Sequence, residues 1–448
     1  MALVRSWTSG VDMRERSVFG IDVVLIVSTV ALIAIGILFI YSSGVTSEGV
    51  SFSREWIRQI VFAVLGLAIL VGITALDYSR LRDLSPYIYV ALLFSLVFTL
   101  FFGRVVNGAR SWIGVGDLGV QPSEFMKVGT ILFLAYVMDR RESEIAAPVG
   151  FLLSFLVVLV PMGLILLQPD FGTAIVYIPV FLVMAFAGGA RPSYILFVLL
   201  AGALAIVFTV LPAWELYIRG SDVPFVSIFT DLQLFVIVTG SFGLIALLGV
   251  VGFLITRQSY FKWIVYGSSA VLTGLGGSYV GRRLLQDFQI MRLIVFLDPN
   301  VDPRGAGWNI IQSVTAVGSG GLTGKGWLRG TQSHLQYLPQ QSTDFIFSIL
   351  AEEWGFLGAL VVFAGFSAIM IRGLIISAKA KDRFASLTAV GIVTMIFFHV
   401  AVNVGMAIGI MPITGIPLML LSYGGSSLWT ALIGIGILMS IYQHRYRY

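Results

Sequence analysis

Long apolar stretches limit most strongly what this chain can fold into. A helix that crosses a bilayer needs about 20 mostly apolar residues, and the 448 residues contain twelve such stretches. They lie near residues 21–43, 56–76, 84–102, 122–138, 149–167, 172–189, 193–212, 233–256, 262–281, 345–370, 384–410 and 418–441. Only 11% of the residues are charged, about half the proportion in soluble domains. The sequence therefore predicts an all-α fold, a polytopic transmembrane helix bundle of about 12 spans in one integral membrane domain, 1–448.

The distribution of Lys and Arg predicts the orientation of this bundle, because short cytoplasmic segments carry an excess of them. With the N-terminus inside, sixteen of the 28 fall on the cytoplasmic side. These are Arg5, Arg14, Arg16, Arg80, Arg82, Arg140, Arg141, Arg191, Arg257, Lys262, Arg372, Lys379, Lys381, Arg383, Arg445 and Arg447. We therefore expect both termini in the cytoplasm and interpret the net charge of +5 as a consequence of topology. It does not indicate nucleic-acid binding.

One long segment, residues 282–344, is predicted to be a loop on the extracellular face. It is polar and contains a glycine-rich run, residues 318–326. Its aromatic residues, among them Trp308 and Trp327, argue against disorder and favour a segment that folds onto the membrane. The end of the run is similar to a phosphate-binding P-loop. However, Ser319 and Gly326 stand where that motif requires Gly and Ser or Thr, which argues against ATP hydrolysis there.

Metal and thiol chemistry based on His and Cys is excluded by composition. The chain has no Cys, and its three His residues are far apart in sequence, so it has neither a His/Cys metal site nor a Cys nucleophile. Ionisable residues at membrane depth are costly in hydrocarbon and are therefore candidates for function. Asp344 precedes an apolar stretch and has two open interpretations. It is either a helix cap or a carboxylate that takes a proton from a hydroxyl or holds a divalent cation.

Four further charged residues lie within apolar stretches. Glu352 and Glu353 are expected to face protein, where hydrogen bonding to neighbouring helices is their simpler role. Glu124 and Lys127 are three residues apart, which places them on one helical face. They either neutralise each other or leave Lys127, together with Arg110, to bind an anionic group such as a diphosphate.

The remaining candidates have a structural and a functional interpretation. Asp170 either caps the next helix or contributes to a site. The small residues from Ser422 to Ser427 allow close helix packing unless they line a cavity. Trp112 and Trp327 are either interfacial anchors or surfaces on which a sugar ring stacks.

In chain order, these motifs resemble the SEDS (shape, elongation, division and sporulation) family of membrane glycosyltransferases. The resemblance extends from about residue 20 to 441 and is specific as a set. The matching segments are Gly108–Ile113, Gln121–Lys127, Gln168–Thr173, Phe296–Pro299, Asp302-Pro303, Gln312-Ser313, Gly318–Gly321, Gly324–Gly326, Gly330–Ser333, Thr343–Phe347, Ala351–Glu353, Pro412–Pro417 and Ser422–Ser427.

The resemblance implies a peptidoglycan glycosyltransferase that joins lipid II disaccharides on the outer face of the bacterial cytoplasmic membrane. Its implied partners are a class B penicillin-binding transpeptidase and other elongation-complex proteins, and a homodimer is an open alternative. Gly330–Ser333 is more similar to the elongation member of the family than to the division member, which implies a role in rod shape. The family's essential outer-loop Asp corresponds to Asp344 and its outer-loop Trp to Trp112.

Three features depart from the family pattern. Family members usually have ten spans, so residues 213–281 are interpreted as an insertion with two extra transmembrane helices. Gln341 and Ser342 stand where a His is common, and His399 stands where a Gln is frequent.

The implied mechanism is inverting transfer, in which Asp344 activates the acceptor hydroxyl or holds Mg²⁺ or Mn²⁺. Arg110, Lys127 and Lys325 are the candidates that would stabilise the departing diphosphate. Trp112, Glu124, Asp170 and Ser422 complete the predicted substrate-binding set. Two alternatives are a lipid II flippase or transporter and a non-enzymatic scaffold that activates a transpeptidase. The absence of an internal repeat argues against a transporter.

Overall fold

The computed structural model describes residues 20–46, 50, 53–106, 108–115, 118–335 and 337–445. The predicted cytoplasmic termini, 1–19 and 446–448, lie outside the described residues. The α-helices of the described part are α1 Val23–Ser43, α2 Glu55–Ala75, α3 Tyr78–Phe102, α4 Pro122–Arg140, α5 Pro148–Leu167, α6 Phe171–Ile175, α7 Tyr177–Ala187, α8 Pro192–Trp214, α9 Ser227–Thr230, α10 Leu232–Thr256, α11 Ser259–Leu284, α12 Asp287–Leu297, α13 Ala306–Gly320, α14 Thr331–His334, α15 Ile346–Ala378, α16 Arg383–Ala407 and α17 Gly425–His444.

The apolar stretches form helices as predicted. Within the described residues, nine helices are long and apolar enough to cross a membrane, namely α1, α2, α3, α5, α8 with its continuation to Arg219, α10, α15, α16 and α17. Helices α4 and α11 and the pair α6–α7 coincide with the other three predicted stretches but are shorter or less apolar. The polytopic helical membrane fold is therefore confirmed, whereas the count of twelve spans stays a prediction.

The chain divides into two compact units, Met1–Ala190 with Asn309–Tyr448, and Arg191–Trp308. In the first, α15 packs against α1 and α16, and α17 packs against α2 and α4. In the second, α11 packs against α8 and α10. The predicted two-helix insertion, 213–281, falls within the second unit, and its status as an insertion stays a prediction.

A small antiparallel sheet between α3 and α4 was not predicted. Strand β1 is Arg104–Val106, β2 is Ala109–Val115 and β3 is Leu118–Val120, in the order β1-β2-β3. Arg104 pairs with Trp112 across the first two strands. The third strand supports the indole, since a Cβ at Gly119 would lie 2.8 Å from Trp112 Cε3. The sheet thus fixes the position of Trp112.

The segment predicted as one long loop, 282–344, is largely helical. It contains α12, a 3₁₀ turn at Pro299–Val301, α13 and α14. Helix α12 begins with a capping box between Gln286 and Gln289, and Ile294 and Val295 are buried. Local capping and apolar burial therefore give this polar segment regular structure.

The glycine-rich run is explained by backbone contact with a break in α15. Gly355 has φ 63° and interrupts the helix. Four backbone hydrogen bonds join the two segments. After the break, Phe356 N–H donates to Gly321 O at 2.9 Å and Leu357 N–H donates to Leu322 O at 3.1 Å. Before the break, Glu352 O accepts from Lys325 N–H and Glu353 O accepts from Gly326 N–H, both at 3.0 Å. A Cβ at Gly324 would lie 2.1 Å from Glu353 O, so glycine is required for this approach. The broken helix thereby keeps hydrogen-bond partners for the backbone groups at its break.

Candidate active site

The backbone of Asp344 is held from two sides just before α15. Its N–H donates to Gln340 O at 3.1 Å, and its carbonyl accepts from Asn403 Nδ2 at 2.8 Å. Phe345 occupies the N-cap position of α15 and makes no side-chain cap hydrogen bond. The N-cap position of α15 thus belongs to Phe345 rather than to Asp344, and the role of the Asp344 carboxylate stays a prediction.

The Asp344 carboxylate lies near the loop before α17. A Cβ at Gly415 would be 3.7 Å from Asp344 Oδ2. Asn403 Nδ2 also donates to Ile416 O at 2.8 Å, so one buried amide joins the two segments. One helical turn earlier on α16, His399 Nδ1 lies 3.1 Å from Pro417 O. Helix α16 therefore sets the position of Asp344 relative to this loop.

Behind His399 lies a buried ion pair on α4. Lys127 Nζ is 2.7 Å from Glu124 Oε1 and 3.1 Å from His399 Nε2, and the side chains of the pair are only 2% and 4% exposed. Because an ammonium can only donate, His399 Nε2 must accept, and its Nδ1–H must donate to Pro417 O. The predicted neutralising pair is confirmed. Since its ammonium has two protein partners, we assign Lys127 to the support of the site rather than to diphosphate.

Asp170 caps α6, as its structural interpretation predicted. Its Oδ1 accepts from Thr173 N–H at 3.1 Å. Its Oδ2 accepts from Gln121 Nε2 at 2.7 Å and from Thr173 Oγ1 at 2.9 Å. The carboxylate ties the start of α4 to the start of α6, and a role in substrate binding stays a prediction.

Glu352 and Glu353 hydrogen-bond to neighbouring segments, as expected. Lys325 Nζ lies 2.7 Å from Glu352 Oε1, which also accepts from Thr331 N–H at 2.8 Å. Ser42 Oγ donates to Glu353 Oε1 at 2.6 Å. Lys325 is therefore the partner of a buried carboxylate, and its predicted part in diphosphate binding receives no support from its position.

Ser422 is buried, and its Oγ accepts from Leu418 N–H at 2.8 Å. Its carbonyl accepts from Gln59 Nε2 at 3.2 Å, and Gln59 Oε1 accepts from Gly424 N–H at 3.2 Å. The small-residue run therefore shapes the loop and attaches it to α2. Ser422 holds this loop through both its hydroxyl and its carbonyl, and its role in substrate binding stays a prediction.

Trp112 lines a cavity of about 340 Å³. The other lining residues are Glu55, Arg58, Arg104, Val106, Gly114, Gly119 and Tyr423. The cavity thus combines two guanidinium groups and one carboxylate, a net positive charge, with two aromatic rings, which suits a ligand with phosphate and sugar groups. Asp344, Arg110 and Lys127 are not among its lining residues. Arg110 is exposed, and its Nη1 lies 3.5 Å from Phe101 O.

Tyr423 connects this cavity to the Asp344 segment, because its N–H donates to Ser342 O at 2.8 Å. Sequence reasoning missed Arg58, Tyr423 and Asn403 as site residues. Arg104 could have been found as a basic residue just after the stretch 84–102, where the predicted topology places an outer loop. Asn403 could have been found as a polar residue one turn from His399 in an otherwise apolar stretch.

His334 gives the segment beside the site a pH-sensitive contact. Its Nε2 is 3.3 Å from Glu353 Oε1, and its Nδ1 is 2.6 Å from Val45 O. The Glu353 carboxylate is the largest cause of a raised His334 pKa, and burial opposes it. The imidazolium is therefore favoured in the folded protein.

The free energy of unfolding should fall as pH rises through the raised His334 pKa. A group whose pKa is raised on folding contributes its full stability below its unfolded value, about 6.5, and loses it above the folded value. Thermal unfolding of the wild type should thus become easier from about pH 6 to 8, and this slope should shrink in His334→Gln. His444→Gln is the matched control, since His444 Nδ1 contacts only Ser440 O among its described hydrogen bonds. An unchanged slope in His334→Gln would contradict the assignment.

With this geometry established, comparison with known proteins defines the class. A family model described as "Cell cycle protein", which covers FtsW, RodA and SpoVE proteins, matches residues 23–219 and 214–447. This chain belongs to the FtsW/RodA/SpoVE family, which confirms the SEDS resemblance of its motifs.

Relatives and solved structures match over nearly the whole chain. The peptidoglycan glycosyltransferase RodA of Treponema pallidum is 48% identical over 96% of this chain and 99% of that protein. The peptidoglycan glycosyltransferase MrdB of Escherichia coli K12 is 32% identical over 95% and 94%. A chain from a structure described as "Structural coordination of polymerization and crosslinking by a peptidoglycan synthase complex" has a TM-score of 0.65 and 28% identity, with 96% and 99% covered. Thermus thermophilus RodA, with 24% identity and a TM-score of 0.59, supports the fold alone.

Proposed function

We propose that this protein is a peptidoglycan glycosyltransferase of the elongation type, which polymerises lipid II on the outer face of the bacterial cytoplasmic membrane. The observation that carries the proposal is the arrangement around Asp344. Asp344 is partly exposed and its backbone carbonyl is held by Asn403, beside a loop whose Tyr423 lines a cavity with Trp112. The support from relatives is the 48% identity to the Treponema protein.

The chemistry of the proposed reaction needs one base and one anion-binding surface. The Asp344 carboxylate takes the proton from the acceptor's 4-hydroxyl as that oxygen attacks C1 of the donor sugar. The bond between C1 and the diphosphate oxygen breaks, and undecaprenyl diphosphate leaves with the electron pair. Arg58 and Arg104 in the cavity, together with exposed Arg110, are the groups we assign to the leaving diphosphate.

A divalent cation is compatible with this site only if substrate completes its coordination. No group of three His, Cys, Asp or Glu side chains that could hold a metal occurs among the described residues. Mg²⁺ is commonly held by one or two carboxylates together with substrate phosphates and water. We therefore propose that Asp344 would hold Mg²⁺ or Mn²⁺, where one is used, and that the ion would polarise the phosphate oxygens.

The proposed partner is a class B penicillin-binding transpeptidase. Its support is the match to a chain from a peptidoglycan synthase complex whose description names both polymerisation and crosslinking. Co-purification of the two proteins from membranes, followed by polymerisation assays with and without the partner, tests this part of the proposal.

The activity is tested by supplying lipid II to the purified full-length chain in detergent. Glycan polymer that is sensitive to a muramidase supports the proposal, and its formation with added Mg²⁺ or Mn²⁺ but not with a chelator supports the metal. A parallel assay follows fluorescent lipid II in liposomes. Flipping without polymer would overturn the proposal in favour of a transporter. If the chain neither polymerises nor flips lipid II but stimulates its transpeptidase partner, the result would indicate a scaffold.

Asn403→Leu should lower the turnover number more than it raises KM. The substitution keeps the side chain's size but removes the donor shared by Asp344 O and Ile416 O. Two unsatisfied carbonyls and a displaced base should cost about ten- to hundredfold in rate. Steady-state polymerisation kinetics measure the effect, and Asn300→Leu, at an exposed asparagine, is the control. Equal rates for both variants would remove Asn403 from the site.

A further inference from the structure

A second cavity lies within the unit Arg191–Trp308. It has a volume of about 200 Å³ and is formed where α11 ends and α10 begins. It is lined by Phe229, Thr230, Asp231, Leu232, Phe235, Tyr279, Arg282 and Arg283. This volume is below the usual 300–1,000 Å³ of drug-sized ligand sites and fits a small head group.

Two consecutive arginines give the cavity its chemistry. Arg282 donates through Nη1 to Phe229 O and lies over the Phe235 ring at 5.9 Å. Arg283 lies over the Tyr279 ring at 4.4 Å. The ion pairs of the described residues include neither of them. Guanidinium groups oriented by aromatic rings match phosphate geometry through paired N–H donors.

The one acidic residue at the cavity already has a local role. Asp231 Oδ1 accepts from Gln233 N–H at 2.7 Å and from Leu234 N–H at 3.4 Å, so it caps α10. With two arginines and one aspartate, the cavity keeps a net positive charge. An anion is therefore the ligand that its electrostatics favour.

The surroundings of the cavity are suited to a lipid rather than to a soluble anion. Leu232, which lines the cavity, is 68% exposed, and Val236 and Val280, each next to a lining residue, are 59% and 51% exposed. Helix α10 is apolar, and only 6% of its membrane-length apolar stretch is buried within the protein. Acyl chains can therefore lie along these helices while a phosphate contacts the arginines. The predicted topology places this end of both helices at the outer surface, where Lys and Arg are otherwise sparse.

We propose that Arg282 and Arg283 form a binding site for the phosphate of a membrane lipid in the outer leaflet. The proposal does not depend on the proposed glycosyltransferase activity. The same chemistry can come from an anionic phospholipid or from a polyprenyl diphosphate, and the experiment separates these two sources.

The test is native mass spectrometry of the full-length chain in detergent. Three lipids are titrated separately: phosphatidylglycerol, undecaprenyl diphosphate and, as a phosphate-free lipid, diacylglycerol. The test variants are the double variant Arg282→Gln/Arg283→Gln and the single variant Arg283→Gln. Because Arg283 is exposed, the single variant should fold like the wild type. The matched control is Arg257→Gln/Lys262→Gln. It removes two cations that lie over Phe253 at the opposite end of the same two helices.

We expect the double variant to bind a phosphate-bearing lipid about tenfold more weakly than the wild type or the control, and the single variant to lie between them. The lipid that shows this dependence identifies the source, and diacylglycerol should show none. Equal binding of both phosphate lipids by the wild type and both test variants would overturn the proposal. An equal loss of lipid binding in the control would also overturn the proposal, because it would show that binding depends on the total positive charge and not on these two arginines.

Discussion

Asp344→Asn should abolish polymerisation of lipid II while the protein remains folded. The amide keeps the size of the side chain but cannot take the proton from the acceptor hydroxyl, and general bases typically contribute 10²- to 10⁴-fold. The backbone contacts of residue 344 with Gln340 and Asn403 use main-chain atoms, so they persist in the variant. The measurement is the initial rate of glycan formation by purified protein, with the thermal unfolding midpoint as the check on folding.

Two further variants sharpen this result. Asp344→Glu keeps a carboxylate and should retain a measurable fraction of the rate, whereas Asp83→Asn removes an exposed carboxylate beside Arg82 and should change nothing. Polymer formed by Asp344→Asn at the wild-type rate would be incompatible with Asp344 as the base. If Asp344→Asn matches the wild type without added metal and is slower only when metal is added, the carboxylate would instead be assigned to binding the cation.

Lys127→Met should be the most destabilising single change among the charged residues of the site. It leaves the Glu124 carboxylate buried without its ammonium partner and removes the donor to His399. Breaking a buried ion pair from one side typically costs about 3–5 kcal/mol. A lower thermal unfolding midpoint in detergent, and a lower yield from membranes, are the expected results.

The double variant Glu124→Gln/Lys127→Met separates an orphaned charge from lost packing. It removes both charges and should recover much of the stability lost in the single variant. Arg141→Met is the control, because Arg141 and Glu144 have the same i,i+3 spacing but are 48% and 54% exposed. That pair should contribute less than about 1 kcal/mol. A single variant as stable as the control would contradict the burial argument.

The helices were predictable because apolar runs of membrane length have few alternatives. The site was predictable in part, because scarce charged residues at membrane depth are costly wherever they occur. Spacing alone predicted the contact of Glu124 with Lys127. The same reasoning marked Asp344 but left open whether it was a cap.

The contacts that the sequence could not predict join distant parts of the chain. Asn403 reaches Asp344 and Ile416, and His399 reaches Lys127, through tertiary packing that leaves no local signal. The three-strand sheet was also missed, because its strands are at most seven residues long and flank apolar helices. The glycine-rich run was predicted only as part of a long loop, and its contact with the break in α15 was not predicted.

The break at Gly355 has a consequence for how this region opens. Separating the glycine-rich run from α15 would remove the partners of four amides and four carbonyls at once. Loss of any one hydrogen bond is therefore coupled to loss of the others. Irregular backbone is commonly associated with local fluctuation, but here it joins the run and the N-terminal half of α15 into one cooperative unit. Asp344 directly precedes the helix that belongs to this unit.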